Sequence, residues 1–325
     1  MAGGGISSSR HPSRAPIFHP AGGAGLVECG VASPSPTGRR RAAIGITINA
    51  DVRRPDSHSP TVNQQATGLF LSMDRRYIEL VIYRALADFR SEVSRMYLGV
   101  LWWVLEPLLY VSIFYVVFGL GFRQSSEMYV PFLLCGLIVW KWLDSTVRTS
   151  SGTIAQSVGI MSQVYLPKVV FPMITVLTNG LKFLIILAIY LAFLCLYGVQ
   201  VKAAWLWLLA LVPLQLLFVA ALAALCAGLV PLLPDVGHAI NYGMTFLFFA
   251  SGVFFDISTI SPAAHHILNF NPALQLIELY RGVLLRGETP PIASVAYLLG
   301  WITVLALLSV LLYKKMDRVY PKLVG

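Results

Sequence analysis

Four ionisable side chains sit inside otherwise apolar stretches of this sequence: Glu106 just before Pro107, Lys141 and Asp144 three residues apart, and Lys182 one turn after Asn179. A charge surrounded by hydrocarbon costs about 2.5–3.5 kcal/mol on insertion scales, so each needs a partner, a route to an interface or a water-lined passage. Residues three apart share a helical face, and Lys141 and Asp144 are expected to pair internally and lower their joint cost. Glu106 is read as a polar group at the mouth of a passage, against the alternative of snorkelling or an interhelical bond. Lys182 has no partner near it in sequence, which leaves a pore wall or a lipid phosphate as its ligand. His265 and His266 are adjacent; a pH or metal role is weighed there against an ordinary solvated pair.

Patterns that carry enzymatic chemistry are missing. The sequence has no GxxxxGK[ST] phosphate loop, no DDxxD metal cluster, no HExxH helix and no GxSxG elbow. Its four cysteines form no CxxC pair and three lie in apolar runs, which argues against a disulfide framework or a zinc site. The chain is therefore read as a non-enzyme with no cofactor of its own, and any work it does draws energy from a partner or an ion gradient.

The elements that hold these residues follow from composition. Of 325 residues, 57% are hydrophobic and 12% charged, with a mean hydropathy of +0.71, where soluble domains carry about 25% charged residues. This predicts an all-α membrane protein. A bilayer core needs roughly 20 apolar residues in helix, and six such spans are expected near 98–122, 129–147, 169–197, 203–230, 239–257 and 292–313. The formal charge of +9 includes seven arginines against three acids in residues 1–72. That segment, rich in Gly, Pro and Ser, is expected to be a disordered tail, consistent with a start codon at Met73. No clustered basic face with interleaved aromatics appears, so nucleic acid is excluded as a partner and anionic lipid headgroups suit the charge.

Residues 73–97 predict an amphipathic helix on the membrane face, with Ile78, Ile82, Leu86, Phe89, Val93 and Met96 as its apolar stripe. A second short helix, 273–285, opens at Asn271-Pro272 and stops at Gly287; too short to cross, it is expected to be re-entrant or interfacial. Residues 98–313 then form the transmembrane domain and 314–325 a basic tail. Eleven Lys and Arg outside the spans fall on one side, while Arg123, Lys202, Arg281 and Arg286 fall on the other. The positive-inside rule puts both termini in the cytosol.

Several stretches resemble one family. Arg90 to Leu109, reading RSEVSRMYLGVLWWVLEPLL, is similar to the first-span approach of polysaccharide-export ABC transporter permeases, the type-2 exporters of O-antigen, capsule or teichoic-acid chains. Gly136 to Trp140, Leu166 to Pro172, and Asn271-Pro272 with Tyr280-Arg281 agree in order and place. The resemblance covers 73–325. It implies a permease subunit in the inner membrane that dimerises, binds two copies of a separate ABC ATPase holding ATP and Mg, and passes a lipid-linked glycan outward. The amphipathic helix and the 149–167 loop would face the ATPase, with Arg90, Arg95, Gln163 and Lys168 as coupling candidates.

For a sliding sugar polymer, aromatic faces offer many weak contacts. Trp102, Tyr110, Tyr115 and Trp140, with Glu106 and Lys182, are the candidates for the substrate path; Trp103 and Trp142 share the pattern. Trp and Tyr near span ends also serve as interfacial anchors, and Tyr110 and Tyr115 lie deeper. Export of drugs or small hydrophobic substrates by the same superfamily is the alternative. A membrane-embedded lipid-modifying enzyme would need clustered acids or histidines at one face, and the acids here are dispersed.

Overall fold

A computed structural model of the chain describes residues 75–95, 101–116, 128–157, 159, 166–256 and 268–316. The expected tail, Gln163, His265, His266 and the side chain of Arg95 lie outside the described residues. Within them the protein is helical, with no strand. The elements are α1 (Arg75–Arg95), α2 (Leu101–Phe114), α3 (Tyr129–Ser151), the single turn α4 (Thr153–Gln156) and α5 (Val170–Leu196). A 3-10 turn (Ala203–Trp207) leads into α6 (Leu208–Leu229), followed by α7 (Asp235–Ala250), α8 (Pro272–Arg281) with a π turn (Gly282–Arg286), and α9 (Ile292–Met316).

Four helices are long and apolar enough to cross a membrane: Tyr129–Ser151, Val170–Leu196, Ala203–Leu229 and Ile292–Lys315. The first and fifth expected spans appear as shorter helices, α2 of 14 residues and α7 of 16. At 1.5 Å per residue the described part of α2 is about 21 Å long and α7 about 24 Å, against a hydrocarbon core of about 30 Å; α2 is flanked by residues 96–100 and 117–127, which lie outside the described residues. Pro107 lies inside α2 and is buried.

α3 is the hub, packed against α2, α5, α6, α7 and α8. In lipid, apolar burial alone favours no particular neighbour, so close packing and interhelical hydrogen bonds do. Gln215 of α6 donates to the Val139 carbonyl at 3.0 Å, and Tyr190 of α5 donates to the Pro131 carbonyl at 2.8 Å. α6 and α9 meet over small residues: Ala223 and Ala227 are fully buried, and Ser309 and Tyr313 of α9 donate to the Ala221 and Ala224 carbonyls.

α1 rests on α5 and buries Val81 and Ala85, while Ile78, Ile82 and Leu86 of the apolar stripe stay exposed, Ile78 at 44%. Small Ala85 permits close approach to α5, where Thr178 donates to the Ala85 carbonyl at 3.4 Å. The bulkier stripe, one helical row away, is left for another surface.

α8 is built as its sequence suggests. Asn271 caps it by accepting from Ala273 N at 3.0 Å with Pro272 at the first position, and its amide donates to the Ala250 carbonyl. The π turn ends at Gly287 with φ 72°, a conformation open to glycine, where an added Cβ would also collide with Lys202. Lys202 and Trp205 donate to the Arg286 and Leu284 carbonyls, fixing this turn to the approach of α6.

Candidate functional site

The polar residues of the apolar segments gather along one seam joining α1, α2, α3, α5 and α7. Lys141 of α3 donates to the Glu106 carboxylate of α2, forming an ion pair across two helices, with each side chain about one third exposed. Asp144 instead accepts from Arg148 at 2.7 Å. The expected internal Lys141–Asp144 pair is therefore not formed. Asp144 has a better-spaced cation four residues on, and Lys141 turns across the interface to a carboxylate that would otherwise stand alone.

Arg148 extends the seam to α7, where its guanidinium donates to Asn241 Oδ1 at 3.3 Å and Thr245 Oγ1 at 3.1 Å. Lys182 likewise has partners that the sequence around it did not reveal. Its ammonium pairs with Glu92 of α1, donates to Asn179 Oδ1 at 3.0 Å and lies 5.6 Å from the Trp103 ring centre. Trp103 in turn meets Phe89 of α1, with ring centroids 5.6 Å apart. Glu92, a residue of the amphipathic helix, is the partner missed, because the two lie ninety positions apart.

Two cavities flank the Glu106–Lys141 pair. The smaller, about 160 Å³, is lined by Glu106, Tyr110, Trp140, Lys141, Arg148 and Thr245 among others. The larger, about 270 Å³, has Trp102, Glu106, Lys141, Trp142, Asn179 and Lys182 in its wall. Of the path candidates, Glu106 borders both, Tyr110 and Trp140 the first, and Trp102 and Lys182 the second. Tyr115 lines neither. Trp140 and Trp142 are buried mid-helix rather than standing as interfacial anchors: Trp140 lies 5.6 Å from the Phe248 ring, and Trp142 stacks on Phe183 at 4.3 Å where Gly180 leaves room. Tyr110, Phe114, Phe248 and Phe254 continue the aromatic layer between α2 and α7. Of the coupling candidates, Arg90 is exposed on α1 and Lys168 partly exposed before α5.

A second charged centre went unrecognised in sequence. Arg281, counted there among the outer cations, is 1% exposed. Its guanidinium donates to Glu278 at 2.9 Å, to the Gly252 and Val253 carbonyls at 2.8 and 2.7 Å and to the Phe132 carbonyl at 3.3 Å, and it lies 3.4 Å over the Phe132 ring. Gly136 makes this possible: a Cβ there would stand 2.7 Å from Arg281 Nη2 and 3.2 Å from the Val253 carbonyl. The glycine of one sequence motif thus receives the arginine of another.

Residues 85–285 match the ABC-2 type transporter family. An O-antigen export system permease protein of Klebsiella pneumoniae is 24% identical over 234 residues, covering 71% of this chain and 90% of its own length. A protein of the same name from Myxococcus xanthus is 26% identical over 239 residues, 70% of this chain and 90% of its own. A polysialic acid transport protein of Escherichia coli is 25% identical over 242 residues, 72% and 92% of the two lengths. The seam from Glu92 to Thr245 and the Arg281 centre both fall inside the matched segment.

Proposed function

Because this chain belongs to the ABC-2 type transporter family, as a membrane permease subunit, we propose that it moves a lipid-linked polysaccharide outward across the cytoplasmic membrane. The observation that carries the cargo assignment is that relatives covered over nine tenths of their own length are named for export of O-antigen and polysialic acid. The geometry supports it: Tyr110 and Trp140 present ring surface beside a Glu106–Lys141 pair, giving stacking faces and hydrogen-bonding groups in one cavity.

In this reading the chain has six spans with both termini in the cytosol, α2 and α7 serving as the first and fifth, and works as a homodimer. Tyr242, Phe246 and Phe249 form an exposed stripe on α7 that suits the facing subunit or the glycan. Two copies of a separate ATPase, which hold ATP and Mg, act on α1 and the 149–167 segment through Arg90, Arg95, Gln163 and Lys168. The seam supplies the route inward: α1 holds Lys182 of α5 through Glu92 and touches Trp103 of α2 through Phe89, so displacement of α1 bears directly on the helix that carries Glu106.

The test is surface glycan in a strain deleted for this gene and complemented with it, beside a strain whose partner ATPase carries an inactivated phosphate loop. Loss of surface glycan in both the deletion and the ATPase mutant is expected. Full export with every candidate ATPase disabled would defeat the proposal, since nothing in these 325 residues supplies that energy.

A further inference from the structure

α7 is secured unequally along its length. Its C-terminal end is anchored: Phe248 meets Trp140, Phe114 and Phe254, the Asn271 amide donates to the Ala250 carbonyl, and the carbonyls of Gly252 and Val253 just beyond accept from the enclosed Arg281. The rest of the helix has far less. Met244 is its one buried residue, and Asp235, His238, Asn241 and Tyr242 are exposed. Among the described residues, Arg148 of α3 alone gives side chains of α7 a hydrogen-bond partner from another element, at Asn241 and Thr245.

These bonds can part without stranding a charge. Arg148 Nε stays with Asp144, one turn away on its own helix, at 2.7 Å, so the guanidinium keeps its carboxylate wherever α7 lies. Its partners on α7 are neutral, and exposed groups of that kind are rehydrated on release. Thr245 gives its own proton to the Asn241 carbonyl at 3.0 Å, which leaves its oxygen as an acceptor for Arg148. A compact lysine ammonium lacks the planar fork that meets three acceptors in fixed directions. Along the helix Asn241 stands about 15 Å from the anchored end, and a rotation of about 10° there moves it by about 2.5 Å, enough to part its hydrogen bond.

We propose that Arg148 is a releasable latch and a positioning residue of transport: it holds α7 against α3 through Asn241 and Thr245, and when those bonds part the helix swings about its anchored C-terminal end. Asp144, Arg148, Thr245 and Phe248 all line the smaller cavity, so the latch sets the width of that cavity. Its role in export rests on the exporter reading given above, whereas the latch itself is independent of the cargo.

The test keeps the Asp144–Arg148 pair and removes only the acceptors on α7, with Asn241→Leu and Thr245→Val together. Spin labels on His238→Cys of α7 and Leu196→Cys of α5, both exposed positions, are placed in the full chain with its four native cysteines replaced by alanine. Pulsed dipolar measurement, with labelled protein diluted in unlabelled so that distances arise within one chain, then reports where α7 lies. The double variant should gain a displaced population, the ratio of latched to released helix shifting by about three- to tenfold, as for hydrogen bonds to a charged group. Surface glycan per unit of permease should fall severalfold while the melting temperature in detergent stays close to the parent value, because both bonds are exposed. Arg148→Lys, which keeps a charge beside Asp144 and loses the fork, should show the same two effects, and it carries the comparison if the double variant does not fold. An unchanged distance distribution in the folded variants would overturn the latch. Parental export per unit of permease despite the displaced population would overturn its role in transport. If the wild-type gene itself restores no glycan, the cargo reading falls and the distance measurement decides the latch by itself.

Discussion

The Arg281 centre and the Glu106 seam both place charge among apolar helices, and they differ in how completely it is enclosed. Arg281 is covered on every side: one carboxylate, three carbonyls and an aromatic face hold a guanidinium that is 1% exposed. The planar fork presents several donors in fixed directions and stacks at once, which is why an arginine occupies this place. Along the seam the charges sit on flexible lysine stems and carboxylates, partly exposed and flanked by cavities. An enclosed charge locks its helices together, because moving them strips Arg281 of the three carbonyls and the ring that other segments supply. An open pair can be separated and remade, which is what a passage requires.

Breaking the enclosed centre should have the largest effect. Arg281→Leu removes the donor to Glu278 Oε1 and to three carbonyls, leaving Glu278 with Arg286 alone, and loss of one partner of a buried pair costs about 3–5 kcal/mol. The protein should fall in membrane abundance and melt well below wild type in detergent; an unchanged melting curve would erase the contrast between the two regions. Gly136→Ala comes next. Its Cβ would press on the clamped guanidinium and the Val253 backbone, an overpacking that costs about 1–3 kcal/mol. Combined with Arg281→Leu it should cost less than the sum of the two, since the group it strikes is then gone.

Glu106→Gln should reverse the pattern. The pair is one third exposed and flanked by two cavities, so its loss should cost less stability than that of the enclosed arginine, yet surface glycan per unit of permease should fall severalfold. A stability loss as large as that of Arg281→Leu would mark the seam as structural instead. Tyr110→Ala should be milder, slowing long glycans more than short ones on a chain-length gel with membrane levels unchanged. Smallest of all is Arg84→Ala, which removes an exposed pair with Asp88 at 3.2 Å on α1 and should leave both stability and export at wild-type values.

What could be read in the sequence was local. Hydropathy located α3, α5, α6 and α9 within a few residues, the fifth expected span runs seven residues past the end of α7, and the single turn α4 lies in the segment expected as a loop; Asn271-Pro272 and Gly287 marked the ends of the short helical segment between α7 and α9 correctly, because caps and glycine turns depend on neighbours in the chain. Partners across helices were out of reach. Lys141 was matched to the acid nearest in sequence, when its partner lies thirty-five positions away on α2. Arg281 was counted as an outer charge because a tally of Lys and Arg cannot see burial. On α1, the widest apolar stripe was legible, but the contact line followed the small Ala85, since the shape of α5 decides which row fits.

Pro107 has a mechanical consequence. Without its N–H, the carbonyl of Trp103 has no helical donor, so α2 lacks one rung at that level and bends there more readily than elsewhere. The tie to Lys141 is made by Glu106, immediately beside the missing rung, so it would hold the helix at its pivot if the arms tilted. From Pro107 to Phe114 is about 10 Å, and a tilt of about 15° would carry the far end some 3 Å. Such a shift would widen the adjoining space without parting the ion pair at the fulcrum.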